Sequence, residues 1–206
     1  ILNTQMKISS MFISYELEII ELNSNDSEKI YESNDFSIST IPLKHSTYCN
    51  GFLFQEKNNK RKLNIDLALK LNINKVYYNK LTKGENVFNE KGDEINYREV
   101  TSKGLKNKSY AYCSDTTYYP SIIEKITNVD VLYHESTFLE KDKEKAKLTM
   151  HSTAMDAAKI ARDAQVNKLI LGHFSSRYEN LDLFINEVKQ IFQNVELAFD
   201  GKDIDI

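Results

Sequence analysis

A chain of 206 residues with 41% apolar and 28% charged content is long enough for one sizeable core and too apolar for a disordered polymer. A formal net charge of -3 excludes a uniformly basic nucleic-acid coat, while leaving room for a local phosphate-binding patch. Cys49 and Cys113 make neither a disulfide framework nor a zinc knuckle and fit a reduced, cytosolic setting; no apolar run approaches the roughly 20 residues of a membrane span.

The sequence opens at Ile1 with polar and apolar residues interleaved, unlike a signal peptide, and the expectation is a fragment of a longer chain. Short alternating patterns over 11–22 (FISYELEIIEL) and 36–43 (FSISTIPL) predict half-buried strands, and GFLFQE at 51–56 continues them after the Asn50-Gly51 turn. Residues 57–83 change texture: eight Lys or Arg stand against the single acid Asp66, with Tyr77 and Tyr78 among them. Such a stretch is either a solvated helical face or a surface that follows a phosphate backbone. KGDE at 91–94 predicts a hairpin turn before Ile95.

Strand and helix patterns then alternate. SYAYCSD (109–115) and VDVLYHES (129–136) predict strands, with PSIIEKI between them as a short helix begun by Pro120. HSTAMDAAKIARDAQ (151–165) predicts a helix with Ser152 or Thr153 as N-cap. KLILGH predicts a buried strand, LDLFINEVKQIF an amphipathic helix and VELAFDG a last strand. This rhythm implies an α/β layer with helices covering a sheet.

The four histidines fall at element boundaries: His45 after IPLK, His134 after VDVLY, His151 before the Ala-rich helix and His173 after KLILG. Asp115 ends SYAYCS in the same way. Strand ends along one edge of an α/β sheet converge on a crevice, and imidazole with carboxylate is the ligand set that zinc or manganese prefers. Strand alternation turns His134 and Glu135 to opposite faces, which makes His134 the weakest candidate.

Five ordered segments, PLKHSTYCNGFLF, YCSDTTYY, VLYHESTF, MHSTAMDAAKIA and LILGHFSSRY, resemble ribonuclease Z, the metallo-β-lactamase-fold endonuclease that trims tRNA precursors at their 3′ end. The resemblance implies an αββα sandwich, of which residues 1–206 are the C-terminal part of a single domain, with 57–100 as an inserted basic arm that grips tRNA. It implies His45, Asp115 and His173 as ligands of two zinc ions, with manganese or another divalent ion as a substitute. Asp115 bridges the two, a role that suits a carboxylate because a neutral imidazole nitrogen has one lone pair. It implies Glu135 and His151 as the pair that protonates the departing ribose oxygen and Arg177 as a phosphate contact. Cytoplasmic homodimers without membrane association are implied as well.

The family's HxHxDH loop is absent from residues 1–206, so the three ligands leave each ion about half coordinated relative to the four that zinc takes. The expectations are an isolated chain that binds metal weakly and does not cleave, a missing N-terminal half that supplies the loop, and an apolar sheet face left for that half or another copy to cover. The family's GDT and HEAT appear as SDT, with Ser114, and HEST, with Ser136, and the basic stretch lacks the usual Gly-Pro turn. A non-catalytic RNA-binding or assembly subunit and a small-phosphodiester hydrolase of the same superfamily are the alternative functions.

Overall fold

A computed structural model describes residues 2–9, 14–57 and 60–206. Helix α1 (Leu2–Ile8) precedes an extended stretch, and the first strands follow as β1 (Lys29–Glu32), β2 (Phe36–Pro42) and β3 (Asn50–Glu56). Of the strand expected over 11–22, residues 11–13 lie outside the described residues and 14–22 form no strand. A period-2 pattern becomes a strand only where an edge and a layer accept it, and here Tyr15, Leu17, Ile19 and Ile20 stay exposed.

Between β3 and the rest of the sheet, the chain builds a small unit with its own core. It comprises β4 (Lys62–Leu63), α2 (Ile65–Lys70), α3 (Tyr78–Thr82), β5 (Val87–Phe88), β6 (Glu94–Ile95), α4 (Tyr97–Val100) and β7 (Thr101–Ser102). Strands β4 and β7 pair, as do β5 and β6 around the turn expected at 91–94. Ala68, Ile73, Leu81, Val87, Ile95 and Val100 form the core, and Tyr77, Tyr78 and Tyr97 pack against it. The two tyrosines of the basic stretch therefore spend their rings on packing. Asn64, Asn74 and Asn96 cap three short helical turns, each accepting a backbone N–H two or three residues on. Among the described residues, the helical alternative offered for 57–83 is met only by short pieces, of which α2 with 6 residues is the longest.

The main sheet resumes with β8 (Ser109–Cys113), β9 (Val131–Glu135), β10 (Lys168–Gly172) and β11 (Val195–Leu197). Its order is β1-β2-β3-β8-β9-β10-β11, antiparallel from β1 to β8 and parallel from β8 to β11. Helices α5 (Lys143–Thr149), α6 (Ala154–Asp163) and α7 (Asp182–Val188) complete the chain, with a 3-10 helix over Pro120–Ile126 where Pro120 predicts a helical start.

Ala157, Ala158, Ile160 and Ala161 of α6, Phe184 and Val188 of α7, and Ile122 and Ile126 pack against Ile41, Ala111, Leu132, Leu169, Leu171 and Leu197 of the sheet. Alternation turns the remaining strand residues the other way. That second face is aromatic: Phe52, Tyr112 and Tyr133 stand in one row of the register, and Tyr31, Ile38, Phe54 and Tyr110 in the next. Tyr112 stacks on Tyr133 at 4.7 Å and Phe54 on Tyr110 at 5.9 Å, yet Tyr31, Phe54 and Tyr112 remain exposed.

The topology fixes where the site can lie. Strand β2 is antiparallel to β3, which is antiparallel to β8, so β2 runs in the same direction as β8, β9 and β10. Their C-terminal ends share one sheet edge, and there the chain places His45, Asp115, Glu135 and His173.

The opposite edge is pinned by Asp130, whose carboxylate accepts from Ser109 N (2.9 Å), Ser109 Oγ (2.9 Å), Lys106 Nζ (2.7 Å) and Asn167 Nδ2 (3.0 Å). Burial opposes its ionisation, but the hydrogen bonds from Lys106 and Ser109 outweigh that and hold the carboxyl below its usual range. A depressed carboxyl stabilises the fold above its unfolded value near 4, and the contribution disappears as pH falls through the folded value. Asp130→Ala is therefore expected to cost about 2–3 kcal/mol in urea melts at pH 7. The gap between variant and wild type should narrow steadily below about pH 4; a gap independent of pH would refute the ionic role.

Candidate active site

Glu135 closes β9 with its side chain fully buried. Its Oε1 accepts from Thr116 N at 2.7 Å and faces His151 Nδ1 at 2.8 Å; its Oε2 accepts from Thr137 Oγ1 at 2.6 Å and from Ser152 N at 3.1 Å. Burial pushes this carboxyl up, but the bonds from His151, Thr137 and Ser152 prevail and hold it below the usual range. The partner responds in the opposite direction: the hydrogen bond to Glu135 raises the His151 pKa against a smaller effect of burial, with the Asp115 charge adding to the rise.

His151 reaches this position through helix geometry. Thr153, not Ser152, caps α6: its Oγ1 accepts from Asp156 N at 3.1 Å, and Asp156 Oδ2 accepts from Thr153 N at 3.2 Å, a reciprocal capping box. Ser152 is then free to serve the site, its N–H on Glu135 and its Oγ donating to Thr116 O at 2.7 Å.

Asp115, Glu135, His151 and His173 bring ligand-capable atoms within 4.8 Å of one another, a cluster that could hold a metal ion. His173 Nε2 lies 3.3 Å from Asp115 Oδ1. Thr137 Oγ1 has a single proton, which it gives to Glu135, so the 2.8 Å contact with His173 Nδ1 makes the imidazole the donor. In neutral His173 the Nε2 lone pair then faces a carboxylate, an arrangement that calls for a proton or a cation between them.

His45 follows the same rule. Its Nδ1 lies 3.0 Å from Met150 O, an acceptor only, which makes Nδ1 the donor. The ring stands 5.0 Å from that of His151, and His151 stands 5.1 Å from His173. Ligand imidazoles are typically held this way, with one nitrogen on a protein acceptor and the other turned to the metal. Asp115, Met150 and His173 all adopt left-handed backbone, with φ of 58°, 57° and 59°. Such strain in non-glycine residues collects at functional sites. Of the three expected ligands, Asp115 and His173 belong to the cluster and His45 stands outside it, its ring beside that of His151; the donor chemistry of Asp115 and His173 fits a cation, whereas the Glu135 oxygens are already engaged.

Arg177 stands exposed at the rim, its guanidinium 4.9 Å over the Phe138 ring and its Nε donating to Ser175 Oγ at 3.0 Å. His134 turns to the helix-covered side, buried, with Nδ1 donating to Glu135 O at 2.7 Å, and burial lowers its pKa. Sequence reasoning missed Thr116, Thr137, Ser152 and the Met150 carbonyl. Only Thr137 left a trace, as the hydroxyl two residues after Glu135.

No protein-family model matches the chain. A curated relative, "Ribonuclease Z" of Cytophaga hutchinsonii, is 40% identical over 207 aligned positions that cover 98% of this chain and 64% of its own length. The "Ribonuclease Z" of Phocaeicola vulgatus is 35% identical over 100% of this chain and 67% of its own length. Among solved structures, the metallo-β-lactamase fold protein YhfI from Bacillus subtilis superposes with a TM-score of 0.58 at 16% identity, covering 97% of this chain and 60% of that one. The chain thus spans less than two thirds of the Cytophaga protein, and YhfI speaks to the fold alone. The expected αββα class accords with that neighbour; with identity and coverage at the level of the Phocaeicola protein, the chain belongs to the ribonuclease Z family.

Proposed function

We propose that these residues are the C-terminal part of a zinc-dependent endoribonuclease that removes 3′ trailers from tRNA precursors. The observation that carries the reading is the convergence of Asp115, Glu135, His151 and His173 on one sheet edge in a chain whose curated relatives are named ribonuclease Z. A homodimer and a cytosolic compartment complete the proposal, the latter in keeping with two unpaired cysteines.

His45, Asp115 and His173 would hold two divalent ions together with ligands from outside residues 1–206; zinc, or manganese in its place, would supply water activation and neutralise phosphate charge. The chain's own residues do the rest. His151, kept protonated by Glu135, gives its Nε2 proton to the departing ribose oxygen, and Glu135 fixes the ring so that this nitrogen faces outward. Thr137 orients His173 as the other end of the same carboxylate orients His151. Arg177 contacts a phosphate at the rim through a planar fork. Residues 1–206 alone would bind metal weakly and not cleave, because three ligands cannot fill two coordination shells.

The roles separate by measurement in the protein expressed over its whole reading frame. Asp115→Ala is expected to lose both bound metal and turnover, whereas His151→Ala keeps its metal and loses about 10²- to 10⁴-fold in the chemical step. Metal content by atomic emission, beside single-turnover cleavage of a tRNA precursor, checks the division; equal metal loss in both variants contradicts it.

The exposed lysines of the inserted unit, Lys62, Lys70, Lys75, Lys80 and Lys83, are the proposed tRNA contacts. Replacing all five by Gln should raise KM for a tRNA precursor and flatten its salt dependence, with kcat on a small phosphodiester unaffected. Equal damage to both substrates would exclude the contact role.

A further inference from the structure

A cavity of about 300 Å³ opens on the flank of His151, walled by Thr117, Tyr118, Lys143, Lys147, Asp156 and Lys159. Of the four clustered side chains, His151 lines it, while Asp115, Glu135 and His173 do not. It is therefore a compartment adjoining the general acid and separate from the proposed cation ligands.

Its chemistry is that of an anion pocket beside an aromatic plate. Lys143 and Lys147 project from α5 and Lys159 from α6. Each has an acid three residues earlier on its own segment: Glu140 at 2.7 Å, Glu144 at 2.8 Å and Asp156 at 3.9 Å. Lys147 and Glu144 are largely exposed, and such surface pairs contribute little, so a phosphate can compete for the Lys147 ammonium; Lys143 and Lys159 keep their acids at 2.7 and 3.9 Å and add charge beside it. Lys159 also stands over one face of the exposed Tyr118 ring, 6.0 Å from its centre, so a base can stack only on the opposite face. A volume at the low end of ligand pockets suits a single nucleotide rather than a helix.

Position decides which nucleotide. Resting on the proposed nuclease reading, His151 protonates the departing ribose oxygen, so the nucleoside carrying that oxygen must lie against His151. We propose that this cavity binds the nucleotide immediately upstream of the cleaved bond. Its 3′-oxygen meets His151, its 5′-phosphate sits among Lys143, Lys147 and Lys159, and its base stacks on Tyr118. The subsite gives the acid a fixed leaving group, since a ribose anchored through its 5′-phosphate holds its 3′-oxygen at a set distance.

Adenosine 5′-monophosphate, which has the 5′-phosphate and a free 3′-hydroxyl, is the probe. Calorimetric titration into the metal-loaded protein, expressed over its whole reading frame, should show AMP binding about tenfold or more tighter than adenosine or adenosine 3′-monophosphate. The His151 ring resonances should shift with it. Lys143→Gln, Lys147→Gln and Lys159→Gln together should weaken AMP by about tenfold or more and abolish that shift, while the three Lys→Arg changes preserve both. Equal binding of adenosine and AMP, or unchanged AMP affinity in the triple Gln variant, overturns the subsite. Because none of these readouts requires RNA cleavage, failure of the nuclease reading would show separately, as absent turnover of a tRNA precursor by a protein that still binds AMP here.

Discussion

One buried carboxylate organises this molecule. Glu135 has no exposure to water, so each of its oxygens must find donors within the protein, and the donors it finds come from three different segments. Thr116 belongs to the turn after β8, Thr137 to the chain leaving β9, and His151 and Ser152 to the approach to α6; through Thr137 the contact extends to His173 at the end of β10. An ion in that setting tolerates no loose geometry, because losing a donor leaves charge desolvated and unpaired.

From this follows a shared arrangement of three imidazoles. His45, His151 and His173 each commit Nδ1 to an oxygen of the protein, namely Met150 O, Glu135 Oε1 and Thr137 Oγ1. Identical anchoring yields different chemistry because the acceptors differ. A carbonyl and a hydroxyl carry no charge, and His173 turns its other nitrogen to Asp115 Oδ1 at 3.3 Å. An ionised carboxylate favours the imidazolium at His151. On the proposed reading, the division between ligand and acid is set one hydrogen bond away from the rings themselves.

Much of this was legible in the sequence, for a physical reason. Parallel strands with apolar interiors announce themselves by composition, and the abrupt polarity after VLY and KLILG marks where burial ends and solvent begins. Hence Glu135 and His173 stood out as terminal residues. Their topological convergence needed the direction of β2, which two antiparallel pairings determine and no local pattern encodes. The Met150 carbonyl was invisible, since every residue has one. So were Thr116 and Ser152, whose contributions are backbone N–H groups made available by turns. The pattern over 14–22 misled in the opposite sense: alternation reports that a segment could pair and says nothing of what there is to pair with.

The same alternation links the site to the broad surface beside it. Glu135, Tyr133 and Val131 lie on one face of β9, and register carries that face through Tyr112 and Tyr110 to Phe52 and Phe54. The reacting end and the aromatic ladder are therefore regions of one continuous surface, not two features that happen to be near. Exposed rings such as Tyr112 and Phe54 favour cover, and a layer that settles on them meets the C-terminal strand ends at its border. On the proposed reading, burial of the aromatic face and completion of a cation site at its margin would be coupled: contacts that stabilise the first would also fix how closely additional ligands approach Asp115 and His173.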